Sequence, residues 1–282
     1  MMPFLKPSLY LSAALTLVIV LAVPVFLLQS SAPFWATYGI STIAATEWFP
    51  YEQLYGMLPA IIGSTWAIVI ALSIAIPCAI AAAIMANEMM SASMASATRL
   101  GMEVLAAIPS IVYGLIGLWV LLPLLQHSFD LLSGHSLLAA GLILALMILP
   151  MITLMSMDAL KQVSAEQRQA GLSLGLNWEA LLFRISLPQA WPGIRSGILL
   201  ALGRALGETM AVMLVVGSLD RMPQPITNIL QPAQTLTSRI GREIGEAAFG
   251  SEHFSALMAC GLLLALMGLS ISLFAHVRGL NK

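Results

Sequence analysis

SLLAAGLILALMILPMITLMS, residues Ser136–Ser156, is a run of twenty-one residues without one charged side chain. As a helix rising 1.5 Å per residue it spans about 30 Å, the thickness of a bilayer's hydrocarbon core. A helix that is apolar all round lies in the core of a large protein or spans a membrane. Five more stretches read the same way: Leu9–Leu28, Leu58–Ala86, Val104–Leu125, Ile194–Ser218 and Phe254–Val277. Composition agrees, with 59% of the 282 residues apolar and only 9% charged; an ordinary soluble protein has about 25% charged. The net charge of −1 gives no footing for a nucleic-acid partner. The expected class is an all-α membrane protein with six transmembrane helices.

Basic residues in short flanks set orientation. With both termini cytoplasmic, that side collects Lys6, Arg99, Lys161, Arg168, Arg184, Arg195, Arg278 and Lys282, against Arg221, Arg239 and Arg242 outside. The first apolar run is about 20 residues, longer than the 7–15 of a signal-peptide core, and reads as an uncleaved anchor. The chain then divides into residues 1–56, an anchor with an outer segment, and residues 57–277, the remaining five spans. Two connections are too long for turns, Met157–Pro192 inside and Leu219–His253 outside.

Several chemistries are excluded. No GxxxxGK[ST] phosphate cradle occurs, and the four His and two Cys show no metal-ligand spacing. Gly171-Leu172-Ser173-Leu174-Gly175 fits GxSxG, but the preceding Ser164–Gln169 is polar and helix-like, where a nucleophile elbow needs a buried strand. No catalytic residue, metal or cofactor is expected. Cys78 and Cys260 each sit in an apolar run and read as inert core thiols.

The inner connection reads as a helical hairpin. Ser164-x-x-Gln167 has capping-box spacing, Gly175 suits a left-handed C-terminal cap, and Asn177 can cap a second helix. Trp178, Leu181, Leu182 and Ile185 then form one apolar stripe, with Leu187-Pro188 expected to end the helix. The hairpin lies on the membrane or docks a soluble partner. It resembles the EAA loop of binding-protein-dependent ABC importer permeases: Gln169-Ala170-Gly171, three residues, Gly175, nine residues, then Ile185-Ser186-Leu187-Pro188 reproduce that spacing without a gap. Gln169 stands where the motif has Glu, and Gly171 where it has Ala. The resemblance implies that Gln169, Ala170, Gly171, Gly175, Ile185, Leu187 and Pro188 couple the chain to an ATPase subunit.

In the fifth expected span Arg204 and Glu208 fall at i and i+4, on one face of a continuous helix. An intramembrane charge costs at least about 2.5–3.5 kcal/mol and faces the bundle or a wet cavity. Two readings stay open on the residues alone, an ion pair fixing helix register or an anion path in which Arg204 is the fork of donors and Glu208 keeps the empty site nearly neutral and prevents tight trapping. Small residues recur every four positions here, Gly193, Gly197, Ala201 and Ala205, then Gly203, Gly207 and Ala211. Gly203-Arg204-Ala205-Leu206-Gly207-Glu208-Thr209-Met210-Ala211-Val212 is similar to the signature of phosphate-specific transport permeases of the PstC type. Leu105–Leu115, Gly245-Glu246-Ala247 and His253–Leu257 carry further likeness, about Leu58 to Val277 in all.

The resemblance implies a type I ABC importer transmembrane domain over residues 57–277, in a bacterial inner membrane, moving inorganic phosphate. It implies as partners a second homologous permease subunit, two ATP-binding subunits that hydrolyse the ATP, and a periplasmic phosphate-binding protein. Sulfate or molybdate is the alternative cargo. An ion-coupled secondary carrier would also account for an intramembrane Arg and Glu, but has no use for the loop spacing. Pro77, Pro109 and Pro150 are expected to kink spans two, three and four. In the outer connection Thr237–Ala248 is expected to be helical, with pairs Arg239–Glu243 and Arg242–Glu246, either a solvated helix or a re-entrant or periplasmic one facing the binding protein.

Overall fold

The computed structural model describes the backbone of residues 5–280 and the side chains of residues 9–273. Lys6, Arg278 and Lys282, three of the basic flank residues, lie outside the described side chains. Twelve helices run in chain order: α1 Leu5–Tyr38, α2 Leu58–Ile84, α3 Ala92–Ala107, α4 Ser110–Ile116, α5 Leu122–Ser128, α6 Leu137–Lys161, α7 Ala165–Ser173, α8 Trp178–Leu181, α9 Leu187–Gly207, α10 Met210–Val216, α11 Leu236–Glu243 and α12 Glu252–Leu280. A two-residue antiparallel ribbon, β1 Trp48–Phe49 and β2 Leu54–Tyr55, follows α1. Among the described residues five helices are long and apolar enough to cross a membrane, and the bent pair α8–α9 with α10 makes a sixth when taken as one span.

The centre is built from α2, α6 and α9. Ala67, Ala71, Ala75, Ala79 and Ala83 recur every four residues on α2 and are all buried against α6. With no hydrophobic drive between helices in lipid, small side chains that let backbones approach supply the packing. Gly141 of α6 marks that closeness, since a β-carbon there would stand 2.6 Å from Ile70 Cβ. Ser136 caps α6 by accepting the Ala139 N–H at 3.1 Å. Pro77 and Pro150 lie inside α2 and α6, which continue through them.

Pro109 behaves differently from the expected kink. The chain is extended at Ile108 and Pro109, and α3 ends before a new helix starts at Ser110. The ring of a proline disfavours the helical region for the residue before it, so Ile108 terminates α3. The third membrane-crossing segment is therefore Ser110–Ser128, joined through a π-helical turn at Gly117–Leu121.

Candidate functional site

Between α6 and α9 the hairpin forms with the expected caps. Ser164 Oγ accepts the Gln167 N–H at 3.3 Å, and Asn177 Oδ1 accepts the Ala180 N–H at 2.9 Å. Gly175 is left-handed at φ 78°, with Gly175 N–H donating to Leu172 and Leu176 N–H to Gly171, a Schellman closure. Gly171, in the place of the motif's alanine, is buried: a β-carbon would come within 2.7 Å of Leu181 Cδ1 and 2.8 Å of Ile185 Cδ1. The side chains of the second helix thus fill the room that a methyl would take. Gln169, Ala170, Gly175 and Pro188 are exposed, Ile185 and Leu187 half-buried. Arg168 ties α7 to the end of α2 through Glu88 at 2.6 Å.

Leu187-Pro188 does not end the second helix. A π-helical turn at Leu182–Ser186 leads straight into α9, with Pro188 in its first turn. The wider turn absorbs the ring and the missing N–H, so the hairpin is continuous with the next span.

That span is broken where a continuous helix was expected. α9 stops at Gly207, Glu208 is extended, and α10 restarts at Met210 with a bend of 63°. Glu208 Oε1 accepts the Ala211 N–H at 3.1 Å, so its carboxylate caps α10. Arg204 remains in the last turn of α9, half-buried. The expected i, i+4 pairing of Arg204 and Glu208 is absent: among the described residues no carboxylate comes within 4.0 Å of Arg204. Glu208 also lines a cavity of about 10 Å³ with Ser64, Thr235 and Thr237. This holds about one water, far less than a tetrahedral oxyanion.

The outer connection folds back into the bundle. Thr235 and Ser238 cap α11 reciprocally, and the Leu236 N–H donates to Ser64 Oγ of α2 at 2.9 Å. Arg239 is fully buried, its Nη2 2.6 Å from Asp220 Oδ1, its Nη1 donating to the Gly56 carbonyl at 3.2 Å, and its guanidinium 4.0 Å above the Trp48 ring. Arg242 reaches Asp220 Oδ2 at 2.7 Å and Glu243 Oε1 at 2.9 Å. Glu243 also accepts from Trp48 Nε1 and meets His253 Nε2, both at 2.9 Å. Burial alone would push the Glu243 carboxyl up, but the hydrogen bonds from Arg242, Trp48 and His253 outweigh it and hold it below its ordinary value. The expected Arg239–Glu243 and Arg242–Glu246 pairs do not form; the helix ends at Glu243 rather than Ala248, with Leu236–Arg239 and Glu243 buried and Gly241 and Arg242 exposed. Sequence spacing points along one helix and cannot show that Asp220 and Trp48 arrive from elsewhere.

Binding-protein-dependent transport system inner membrane components match this chain over residues 75–278. The chain belongs to that family. It is therefore a multi-span inner-membrane permease subunit that works with other components of an ABC importer. The phosphate transport system permease protein PstC of Mesorhizobium japonicum is 34% identical over 272 residues, covering 90% of this chain and 82% of the relative. PstC of Pasteurella multocida is 33% identical, covering 87% of this chain and 81% of the relative. A crystal structure of an amino acid ABC transporter with histidines superposes with a TM-score of 0.55 at 15% identity, covering 84% of this chain and 100% of that one. The shared element is the fold.

Proposed function

We propose that this permease carries inorganic phosphate, and that the break between α9 and α10 lies on its path. The observation that carries the reading is Arg204, a half-buried guanidinium without a carboxylate partner among the described residues, one turn from the break. A planar fork of N–H donors matches a tetrahedral oxyanion, and a site of low dielectric strengthens the contact. Glu208 keeps one oxygen on α10 and has the other for the path, where its charge prevents an anion from being trapped. The relatives named as phosphate transport permeases support phosphate over sulfate or molybdate as cargo.

In this reading residues 57–277 form the transporting domain and residues 1–56 an anchor with its outer segment. Both termini and the hairpin of α7 and α8 face the cytoplasm. Exposed Leu172, Leu174, Trp178 and Phe183 give the hairpin an apolar face for an ATPase subunit, with Gln169, Ala170, Gly171, Gly175, Ile185, Leu187 and Pro188 as the coupling residues. The full importer holds a second homologous permease, two ATP-binding subunits and a periplasmic phosphate-binding protein. ATP-driven closure of the ATPases pulls the hairpin, the continuous helix passes the motion to α9, and the one-water cavity beside Glu208 opens. Chemistry stays on the ATPase chains; this subunit binds, orients and releases.

The test is uptake of radiolabelled phosphate in cells lacking their own phosphate permease, complemented with this chain and its partners. Wild type restores ATP-dependent uptake that excess phosphate, but not sulfate, competes away. Arg204→Gln assembles with the partners and loses uptake. Full uptake by that variant would remove Arg204 from the path, and competition by sulfate would reassign the cargo.

A further inference from the structure

We propose that the groove where α2 ends, between α3, the end of α6 and the start of α7, binds a phosphate-ester oxyanion, the headgroup of an anionic phospholipid. The groove encloses about 590 Å³ and its wall holds Arg99, Lys161 and Arg168 with the Asn87 amide and the Ser96 hydroxyl. No carboxylate lines it. The acids stand behind the guanidiniums and aim them. Asp158 takes Arg99 Nη1 and Nη2 at 2.6 and 3.3 Å, Glu103 takes its Nε at 3.0 Å, and Glu88 holds Arg168 Nη2 at 2.6 Å. A guanidinium has five N–H donors, so Arg99 keeps donors to spare after these three contacts. Lys161 is exposed and makes no ion pair among the described residues.

Three cations and three carboxylates cancel, so bulk charge does not draw an anion into the groove. An occupant is held by aimed donors and gains further only if it brings apolar area of its own. That favours a lipid over the free ion. Met89, Met94 and Leu100 stand exposed on the elements that form the groove, 67%, 57% and 61% accessible, where acyl chains would run. The groove sits where the membrane-crossing α2 and α6 end, the level of the headgroups, and basic pockets between spans at this level take anionic lipid. Its wall includes Ala165 and Arg168 of α7. A bound headgroup would therefore brace the hairpin that, in the reading above, couples to the ATPase; the binding itself does not depend on what the importer carries.

The full chain, purified with its partner subunits in neutral detergent, is titrated with short-chain phosphatidylglycerol or phosphatidylcholine and bound lipid is counted by native mass spectrometry. Wild type is expected to take phosphatidylglycerol in preference to phosphatidylcholine. Lys161→Ala, an exposed position whose loss leaves the unfolding temperature unchanged, weakens this about fivefold, and Lys161→Glu weakens it more. Equal affinity for both lipids, or for wild type and both variants, overturns the site. Displacement of phosphatidylglycerol by excess inorganic phosphate, lost in Lys161→Glu, overturns the lipid as ligand and gives the groove to the free ion. Either failure leaves phosphate uptake unaddressed, so the two readings fall separately.

Discussion

Arg239 has given up all contact with solvent, and each face of its guanidinium is spoken for by Asp220, the Gly56 carbonyl and the Trp48 ring. Removing Arg239 takes one of two cationic partners from the half-buried Asp220, leaves the Gly56 carbonyl without its donor and opens a void beside the Trp48 ring. Arg239→Ala is therefore expected to lower the unfolding temperature of the purified chain sharply. Arg239→Lys should not restore it, because a single ammonium cannot serve a carboxylate, a carbonyl and a ring face together. Glu208 separates two jobs in the same way. Glu208→Gln keeps an oxygen for the Ala211 N–H, so it should unfold like wild type yet lose phosphate uptake. Glu208→Ala should also lose the cap, about 1 kcal/mol of stability. Normal uptake by the glutamine variant would leave Glu208 as a cap alone. The cap was not legible from the i, i+4 spacing, which described one continuous helix where α9 stops at Gly207, whereas the place on the path is the role proposed from the sequence onward.

At the scale of elements, the hairpin of α7 and α8 was written in the sequence and the broken span was not. Ser164, Gly175 and Asn177 act locally, each satisfying backbone groups within three residues, so their roles follow from spacing. The breaks at Ile108 and Glu208 depend on what packs nearby, although Pro109 already signals the first. For the second, Gly203, Gly207 and β-branched Thr209 weaken the helix, and a strictly periodic reading passes over them. Pro188 misled in the opposite direction, because a π-helical turn accommodates it. The local caps give a sharp test. Gly175→Ala forces a left-handed residue to carry a β-carbon, costing about 1–2 kcal/mol. The global fold should survive, while less ATPase subunit co-purifies with the chain. An unchanged yield of ATPase would detach the hairpin's geometry from partner docking.

Across the whole molecule, Glu243 is where separate parts of the chain are joined: α11 carries it, Trp48 reaches it from the ribbon after α1, and His253 from the start of α12. Its carboxyl is held below the ordinary value of 4.5, so the folded chain stabilises the charged form. The sign follows from linkage. A carboxyl with a depressed folded value contributes fully above its unfolded value, and the contribution fades as pH falls through the folded one. At pH well above 4.5 the unfolding temperature of wild type should thus exceed that of Glu243→Gln. The margin should shrink progressively below 4.5, where the unfolded carboxyl takes up its proton first, and vanish once pH has fallen through the lower folded value and both proteins carry a neutral group at this position. A margin that persists undiminished into strong acid would mean that the amide disrupts packing rather than charge. The outer end of the bundle would then be held by the fit of Trp48 and α11, with the ion network along for the fold.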